Sequence, residues 1–285
     1  SLVGSEMCIR DRTGYIDFYL LHALSEKHWP RLQELGALNW AEKAMADGRI
    51  GYLGFSFHDS NELFHQIIDS TDLWTFCQIQ YNYMDVEYQA GMEGLQYAAG
   101  KGLAVVVMEP LRGGMLTKSV PPTVHSFSDS APVRRTPGAW ALLCVCHQPE
   151  VSVVLIGICT VEQVGQHLAS ADRSVPGILS DGELALFDGV RAAYEALCPI
   201  PCTDCKYCLP CPSGVNIPGV FEIYNDMMAY GDESRAQMVY NNFMNEDERA
   251  NLCTECGECL EKCPQNIEIP DWLAQVHEVL CQDPA

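Results

Sequence analysis

The sequence predicts an α/β protein in which a parallel sheet covered by helices is followed by a small cysteine-rich domain. Three observations predict this class. Short apolar runs alternate with segments of helical periodicity through the first two thirds of the chain. Cysteine content and acidity both rise after Leu197. The C-terminal cysteines stand in two tight, regularly spaced groups.

Five strand–helix units account for residues 13–197. Each expected strand is a nearly continuous run of apolar, β-branched or aromatic residues, which is typical of a strand covered on both faces. An open, doubly wound sheet is the alternative, but no glycine-rich phosphate loop follows any of the strands. The expected strands are 16–21, 52–56, 76–81, 104–109 and 151–157, and the expected helices are 39–47, 61–70, 88–99, 139–147, 162–171 and 181–197.

The composition limits the partners of this chain. Its 285 residues include 17 Lys and Arg against 38 Asp and Glu, which gives a net charge of −21, and 48% are hydrophobic. We expect neither nucleic acid nor a membrane as a partner, because nucleic acids and anionic membranes are bound by clustered Lys and Arg. The longest apolar runs, 103–108 and 151–158, are too short to span a bilayer. We therefore expect a cytoplasmic protein.

A domain boundary is expected between residues 197 and 198. Residues 1–197 hold five of the 15 cysteines, and residues 198–285 hold ten. The last 88 residues have 15 acidic and 4 basic residues, so they carry −11 of the net charge. Pro199 and Pro201 end the helical pattern that precedes them.

The cysteine spacing predicts two 4Fe–4S clusters. The downstream group, C-x2-C-x2-C-x3-C-P over 253–264, has the spacing by which bacterial ferredoxins bind such clusters, with the fourth cysteine serving the other cluster. The upstream group over 202–212 is one residue shorter before its last cysteine. Three thiolates separated by two residues wrap around one cluster, and a distant fourth completes its ligands. The first cluster is assigned Cys202, Cys205, Cys208 and Cys263, and the second Cys253, Cys256, Cys259 and Cys211.

Two alternatives remain for these cysteines. Zinc ribbons also pair C-x2-C groups, so eight cysteines can in principle bind two zinc ions. Consecutive x2 spacings with a trailing Cys-Pro favour iron, and the odd total of 15 cysteines disfavours a disulfide framework. The shortened upstream group leaves open whether both clusters assemble with four cysteine ligands.

Several motifs in the same order resemble the aldo/keto reductase family. The segment Tyr-Ile-Asp-Phe-Tyr-Leu-Leu-His at 15–22 is similar to the family's fourth barrel strand, which ends in a histidine. Together with the cysteine-rich end, the pattern is similar to the branch with a C-terminal ferredoxin-type domain. The segments that resemble the fifth to eighth strands with their loops are 50–56, 78–82, 109–114 and 153–168, and the whole resemblance covers 13–285.

The resemblance implies a partial TIM (β/α)8 barrel, its last five βα units, over 13–197, with its chemistry at the carboxyl ends of the strands. It also implies a small, α-rich, two-cluster ferredoxin-type domain over 198–285. It implies an oxidoreductase that transfers hydride between a nicotinamide cofactor, NAD(P)(H), and a small carbonyl or alcohol substrate. Of the family's Asp, Tyr, Lys and His tetrad only the histidine maps onto this chain, as His22, which would orient the substrate oxygen. By the same resemblance Ser56 and Gln78 would bind the nicotinamide carboxamide, and Glu109, Leu111 and Gly113 would lie along the pyrophosphate.

The sequence departs from the family pattern at three places. This chain has Ser56-Phe57-His58 where the family commonly has a Ser-Asn pair, and His58 is expected to be a solvated loop histidine. Met108 stands where an aromatic ring often stacks on the nicotinamide. The segment 157–163 has no Lys or Arg where NADP-preferring members bind the 2′-phosphate. NAD and a weakened nucleotide site are therefore equally open.

Five βα units are present where such a barrel has eight. The segment 1–12 resembles nothing in the family and looks like translated adapter sequence. We therefore expect a fragment of a longer gene, with unpaired sheet edges at 16–21 and 151–157. The strands that carry the Asp, Tyr and Lys would be absent, so we expect the fragment to be inactive alone.

The predicted clusters raise a question of electron count. Nicotinamide passes two electrons as hydride, a cluster passes one, and no flavin motif is visible. The clusters are therefore either structural or exchange electrons with a partner. The alternative function is a non-enzymatic electron carrier whose barrel half is a docking or vestigial module and whose acidic surface steers a basic redox partner protein.

Overall fold

The computed structural model describes residues 14–117, 121, 124, 131–158, 160–202, 204, 206–263 and 265–281. The segment 1–12 and Cys205 lie outside the described residues. The chain divides into two units, one formed by Ser1–Thr117 with Pro132–Phe187 and the other by Lys118–Ala131 with Asp188–Ala285. The boundary expected between 197 and 198 stays a prediction.

A parallel sheet forms the centre of the first unit. In the described residues its strands are β1 (Ile16–Leu24), β2 (Ile50–Phe57), β3 (Trp74–Gln80), β4 (Ala104–Met108) and β5 (Val151–Val154). They lie side by side in chain order, and every pairing is parallel. This confirms the predicted α/β fold. The order is that of a barrel wall and differs from a doubly wound sheet, in which the strand order reverses.

The residues of β2 show how the sheet packs. Leu53, Phe55 and Phe57 are fully buried, and they share one face because side chains alternate along a strand. This face packs against the helix that follows, with the Phe57 and Phe64 rings 5.0 Å apart. At Gly54 a Cβ atom would lie 2.6 Å from the carbonyl oxygen of Phe76 on β3. Only glycine allows that approach of the two backbones.

Polar caps set the start of several helices in this unit. Ser60 accepts a hydrogen bond from the Leu63 N–H, and Thr136 accepts one from Ala139. Thr160 forms a capping box with Gln163. Each cap satisfies an N–H group that has no partner within its helix. The helices are α1 (Trp29–Glu34), α2 (Ala37–Ala46), α3 (Asn61–Asp69), α4 (Gly91–Gly100), α5 (Pro137–His147) and α6 (Val161–Ala171), and α7 (Asp181–Glu195) begins in this unit and ends in the second.

The second unit is rich in short helices, as predicted. Its helices are α8 (Ile217–Tyr230), α9 (Glu233–Met238), α10 (Glu258–Lys262) and α11 (Ile269–Leu280). The buried Tyr240 joins several segments, because its hydroxyl accepts the Ala250 N–H at 3.0 Å and lies 2.9 Å from Nδ1 of His277. Throughout the described part of the chain, no helix has the length and apolar character needed to cross a membrane.

Candidate functional site

A cavity of about 940 Å³ opens at the carboxyl ends of β4 and β5. We call it the strand-end cavity. Ligands of parallel α/β sheets bind at this edge, because the loops after the strands converge there. Its walls are the loop after β4, the first residues of α5, the residues 155–157 after β5, and one face of α6.

The loop after β4 has an unusual backbone. Glu109 has a φ of 58°, Arg112 of 49°, Gly113 of 61° and Gly114 of 87°. Two of these residues carry side chains, so the surroundings must stabilise a conformation that favours glycine. The carboxylate of Glu109 accepts a hydrogen bond from the Gly113 N–H, which closes the loop on itself.

A shielded polar network fixes this loop to the one after β3. Oδ2 of Asp85 accepts hydrogen bonds from Asn82 Nδ2 at 2.9 Å, Gln80 Nε2 at 3.0 Å and Arg112 Nε at 3.2 Å. Asn82 is fully buried and also donates to the carbonyl oxygen of Glu109 at 3.1 Å. The side chains of Arg112 and Asp85 are only 19% and 11% exposed. The network therefore shapes the cavity wall before any ligand binds.

Three residues expected along a pyrophosphate, Glu109, Leu111 and Gly113, line the strand-end cavity. Gln78 lies beside it, because its Nε2 is 3.3 Å from the sulfur of Met108, which lines the cavity. Ser56 is not among the described lining residues. It is 1% exposed, and its Oγ accepts the Ala23 N–H at 2.8 Å.

His22 lies near the end of β1, directly before Ala23, whose φ is 53°. The hydrogen bond to Ser56 holds the backbone there. His58 is an electrostatic neighbour of His22: burial lowers the pKa of His58, and the His22 charge lowers it further, against a hydrogen bond with Gln89 and the Glu109 carboxylate. The His58 side chain nevertheless lies in the loop after β2 and is exposed, as expected of a solvated loop histidine.

The described lining residues of the cavity include no lysine or arginine. The α6 face contributes Gln163, Gln166, His167 and Ser170. The start of α5 adds the positive end of the helix dipole, although Pro137 has no N–H group and the Ala139 N–H already donates to Thr136. Sequence reasoning missed Asp85, whose position carries no motif.

In the second unit, cysteines line two concavities. One contains Cys202, Cys208 and Cys263. The other contains Cys211, Cys253, Cys256 and Cys259, with Cys208 at its edge. Among the described cysteines, Cys263 thus lies with Cys202 and Cys208, and Cys211 lies with the first three of the downstream group. The assignment of ligands to two clusters stays a prediction.

The two cysteine loops share a backbone pattern. Asp204 and Glu255, before the second cysteine of each group, have φ values of 52° and 55°. Lys206 and Gly257, after that cysteine, have φ values of 62° and 78°. Left-handed residues in such loops turn successive N–H groups inward, which forms the nests that bind iron–sulfur clusters and other anions.

The sulfur atoms of the second group share one environment. Burial raises the pKa of the Cys259 thiol, and the neighbouring Cys253, Cys256 and Cys211 raise it further. Four thiolates crowded together need a cation between them. Among the described residues no three Cys, His, Asp or Glu side chains converge on a single ion.

Comparisons with known proteins bear on both regions. A model of the aldo/keto reductase family matches residues 5–154, beginning inside the 1–12 segment, and a 4Fe-4S dicluster domain model matches residues 201–268. A search of curated proteins finds no match.

Similar solved structures are also aldo-keto reductases. AKR11C1 from Bacillus halodurans in its apo form has a TM-score of 0.53 and 21% identity over 66% of this chain and 66% of that one. Its holo form gives the same TM-score and identity, with 66% and 65% covered. The thermostable Tm1743, in complex with the inhibitor epalrestat, has a TM-score of 0.50 and 23% identity over 65% and 64%. The chain thus spans slightly under two thirds of these proteins, and the likeness shows the fold.

Proposed function

The chain belongs to the aldo/keto reductase family and carries a 4Fe–4S dicluster domain, and from this premise we propose that it is an oxidoreductase that transfers hydride between a nicotinamide dinucleotide and a small carbonyl or alcohol. The observation that carries the proposal is the strand-end cavity, which gathers Glu109, Leu111 and Gly113 at the edge where this fold binds ligands. The bound cofactor supplies the hydride.

The cavity binds the dinucleotide mainly through backbone and neutral polar groups. The loop after β4 is closed by the Glu109–Gly113 hydrogen bond and anchored through Asp85. The first residues of α5 line the cavity, and the positive end of the helix dipole there favours a pyrophosphate. Because these groups are fixed before binding, little ordering free energy is lost when the nucleotide enters.

His22 orients the substrate oxygen. Its imidazole N–H donates a hydrogen bond to the carbonyl, and Ser56 holds the strand end that carries it. The lowered pKa of His58 favours its neutral form.

We also propose that the second unit binds two 4Fe–4S clusters, each of which takes up one electron. The grouping of the described cysteines in two concavities supports this. The ligands of one cluster would be Cys202, Cys205, Cys208 and Cys263, and those of the other Cys211, Cys253, Cys256 and Cys259.

A cavity-filling substitution tests the nucleotide site. Gly157 lines the cavity and has no atom within 4 Å of its Cβ position, so Gly157→Trp places a large ring in the cavity. We expect NADH binding, measured by fluorescence, to weaken by at least about tenfold. Gly165→Trp is the matched control, because Gly165 is exposed on α6 outside the described lining and has equal free space. Equal affinity in both variants would contradict the site.

The catalytic role is tested with the full-length gene product. NADH oxidation with a panel of aldehydes is compared between wild type and His22→Gln. We expect kcat to fall about 100-fold with nucleotide affinity unchanged, as for loss of one oriented donor. An unchanged kcat would remove His22 from the mechanism.

The electron-carrier function remains the second candidate, favoured by the −11 charge on the last 88 residues. If the full-length product binds no nucleotide and turns over no aldehyde while its clusters are still reduced by dithionite, the carrier function replaces the reductase. Salt-dependent reduction by a basic redox protein would then be expected.

A further inference from the structure

The two cysteine groups belong to an internal repeat. Residues 202–208 read Cys-Thr-Asp-Cys-Lys-Tyr-Cys, and residues 253–259 read Cys-Thr-Glu-Cys-Gly-Glu-Cys. In both copies an Ile-Pro pair begins a helix six residues after the fourth cysteine, at Ile217 and Ile269. The left-handed positions also coincide. The described backbone of the two three-cysteine loops is therefore alike, and the loops differ in the side chains they carry.

The side chains that differ are charged. The position after the second cysteine is Lys206 upstream and Gly257 downstream. Lys206 lines the concavity of Cys202, Cys208 and Cys263, and its ammonium lies 3.7 Å from Asp204. At the equivalent downstream position there is no side chain.

The downstream loop is more acidic. Residues 202–211 contain one acidic and one basic residue, so their net charge is zero. Residues 253–259 contain Glu255 and Glu258 and no basic residue, so their net charge is −2, and Glu258 pairs with Lys262 at 3.3 Å.

We propose that the two clusters are electronically inequivalent, and that Lys206 gives the cluster of Cys202, Cys205, Cys208 and Cys263 the higher reduction potential. The inference rests on the proposed function, which supplies two clusters. Reduction adds one negative charge to a cluster, so a nearby cation favours it and nearby carboxylates oppose it. The first electron that enters the pair therefore resides on the Lys206 side.

Solvent weakens the influence of the Lys206 charge on the reduction potential but does not remove it. The Lys206 side chain is 67% exposed, and mobile ions screen charges at exposed positions. The separation between the two potentials should therefore be largest at low ionic strength. It should narrow as salt is added, whereas a difference caused only by the packing around the clusters would not.

The test is a dithionite titration of the anaerobically purified chain, followed by electron paramagnetic resonance, with iron analysis of each sample. We expect two one-electron steps at distinct potentials. Lys206→Gln should lower the upper potential and leave the lower one in place. Lys43→Gln removes an equal charge from an exposed position on α2 and should change neither.

The reciprocal substitution tests the same idea from the other site. Gly257→Lys should raise the lower potential. The position has no atom within 4 Å of its Cβ site, and Lys206 already adopts the same left-handed backbone. Gly257→Gln introduces the same backbone strain without charge and should leave the potential in place.

Iron content separates the possible failures. A wild-type chain with about four irons instead of about eight overturns the two-cluster proposal itself. A chain with about eight irons that reduces in one step, or whose potentials ignore both Lys206→Gln and Gly257→Lys, overturns the inequivalence and leaves the two-cluster function standing. If one variant loses iron, the other decides the question.

Discussion

The two units stabilise their functional groups in opposite ways. In the first unit the loop after β4 is fixed by Asp85, Asn82 and Arg112, which are mostly shielded from water. In the second unit the described ligand cysteines are partly or fully exposed and stand on loops with left-handed residues. Cys77, in the sheet core, is the contrast: burial raises its pKa to about 12, so it stays an inert thiol. We therefore expect the first site to be preorganised by the protein and the second to depend on its metal.

Removing a cluster should therefore have the largest effect. We expect Cys259→Ser to abolish one cluster and to destabilise the second unit by several kcal/mol, since structural metal sites contribute on the order of 10 kcal/mol. Hydrogen exchange measured by mass spectrometry should show lost protection in α8 and α11 and unchanged protection in the sheet. Cys281→Ser, at an exposed cysteine in the same unit, is the control. Equal loss of protection in the sheet would contradict the expectation that only the second unit depends on the cluster.

Removing Asp85 should have the next largest effect, confined to the first unit. Asp85→Ala leaves Arg112 and Asn82 without their shared acceptor in a shielded place, which costs about 3 kcal/mol. We expect urea unfolding to show this loss and NADH affinity to fall about tenfold. Asp72→Ala, at an exposed loop position, serves as the control. Full nucleotide affinity in Asp85→Ala would show that the loop needs no anchor.

Tyr240 offers a comparison within the second unit that does not involve the metal. Tyr240→Phe removes the acceptor of the Ala250 N–H and leaves that buried group unpaired. The expected loss of stability is about 1–3 kcal/mol, measured by chemical denaturation of the iron-loaded chain with its iron content unchanged. Tyr207→Phe, at a residue 66% exposed, should have no measurable effect. If Tyr240→Phe also released iron, helix packing and cluster binding would be coupled more tightly than we infer.

The contrast between the two units also explains which site residues could be predicted from the sequence and which could not. Cysteine spacing is a local signal, so the groups at 202–212 and 253–264 are enough to propose which sulfur atoms belong together, and that ligand assignment stays a prediction. Strands and helices followed from periodicity, and the caps at Ser60 and Thr160 fix their starts. Asp85 joins three segments that meet only in the folded sheet, and no sequence motif marks its position.

Ser56 shows a further limit of sequence reasoning. Resemblance predicts a nucleotide contact, while the structure shows its hydroxyl accepting a hydrogen bond from Ala23. A hydroxyl also donates, so the predicted contact stays a prediction.

Acid should weaken the second unit through His277. Burial lowers the pKa of this histidine from its ordinary value of 6.5, and the charge of Arg249 lowers it further. As pH falls below about 6.5, His277 takes up a proton in the unfolded chain but not yet in the folded chain. The free energy of unfolding therefore decreases until the pKa of the folded chain is reached. His277→Gln should flatten this decrease in thermal unfolding between pH 7.5 and about 5. An unchanged slope would assign the acid sensitivity to other groups.

The smallest effect is expected at a surface cluster on α3 and α4. Asp69 accepts hydrogen bonds from Lys101 at 2.6 Å and Tyr97 at 2.7 Å, and these lower its pKa, while His65 stacks on Tyr97 with ring centroids 3.7 Å apart. These are the residue types of the family tetrad, yet Asp69 and Lys101 are about half exposed and none of the four lines the described cavity. Water screens such a pair, so its net contribution is small.

We therefore expect Asp69→Asn to cause only a slight loss of thermal stability, which about 1 M salt removes by screening the Lys101 pair. Because the Asp69 pKa is lowered in the folded chain, the stabilisation is present above about pH 3.8 and lost as pH falls below it. NADH affinity and turnover of the full-length product should be unchanged. A loss of turnover would mean that this surface cluster takes part in the reaction. Exposure to water would then not distinguish these four residues from those of the strand-end cavity.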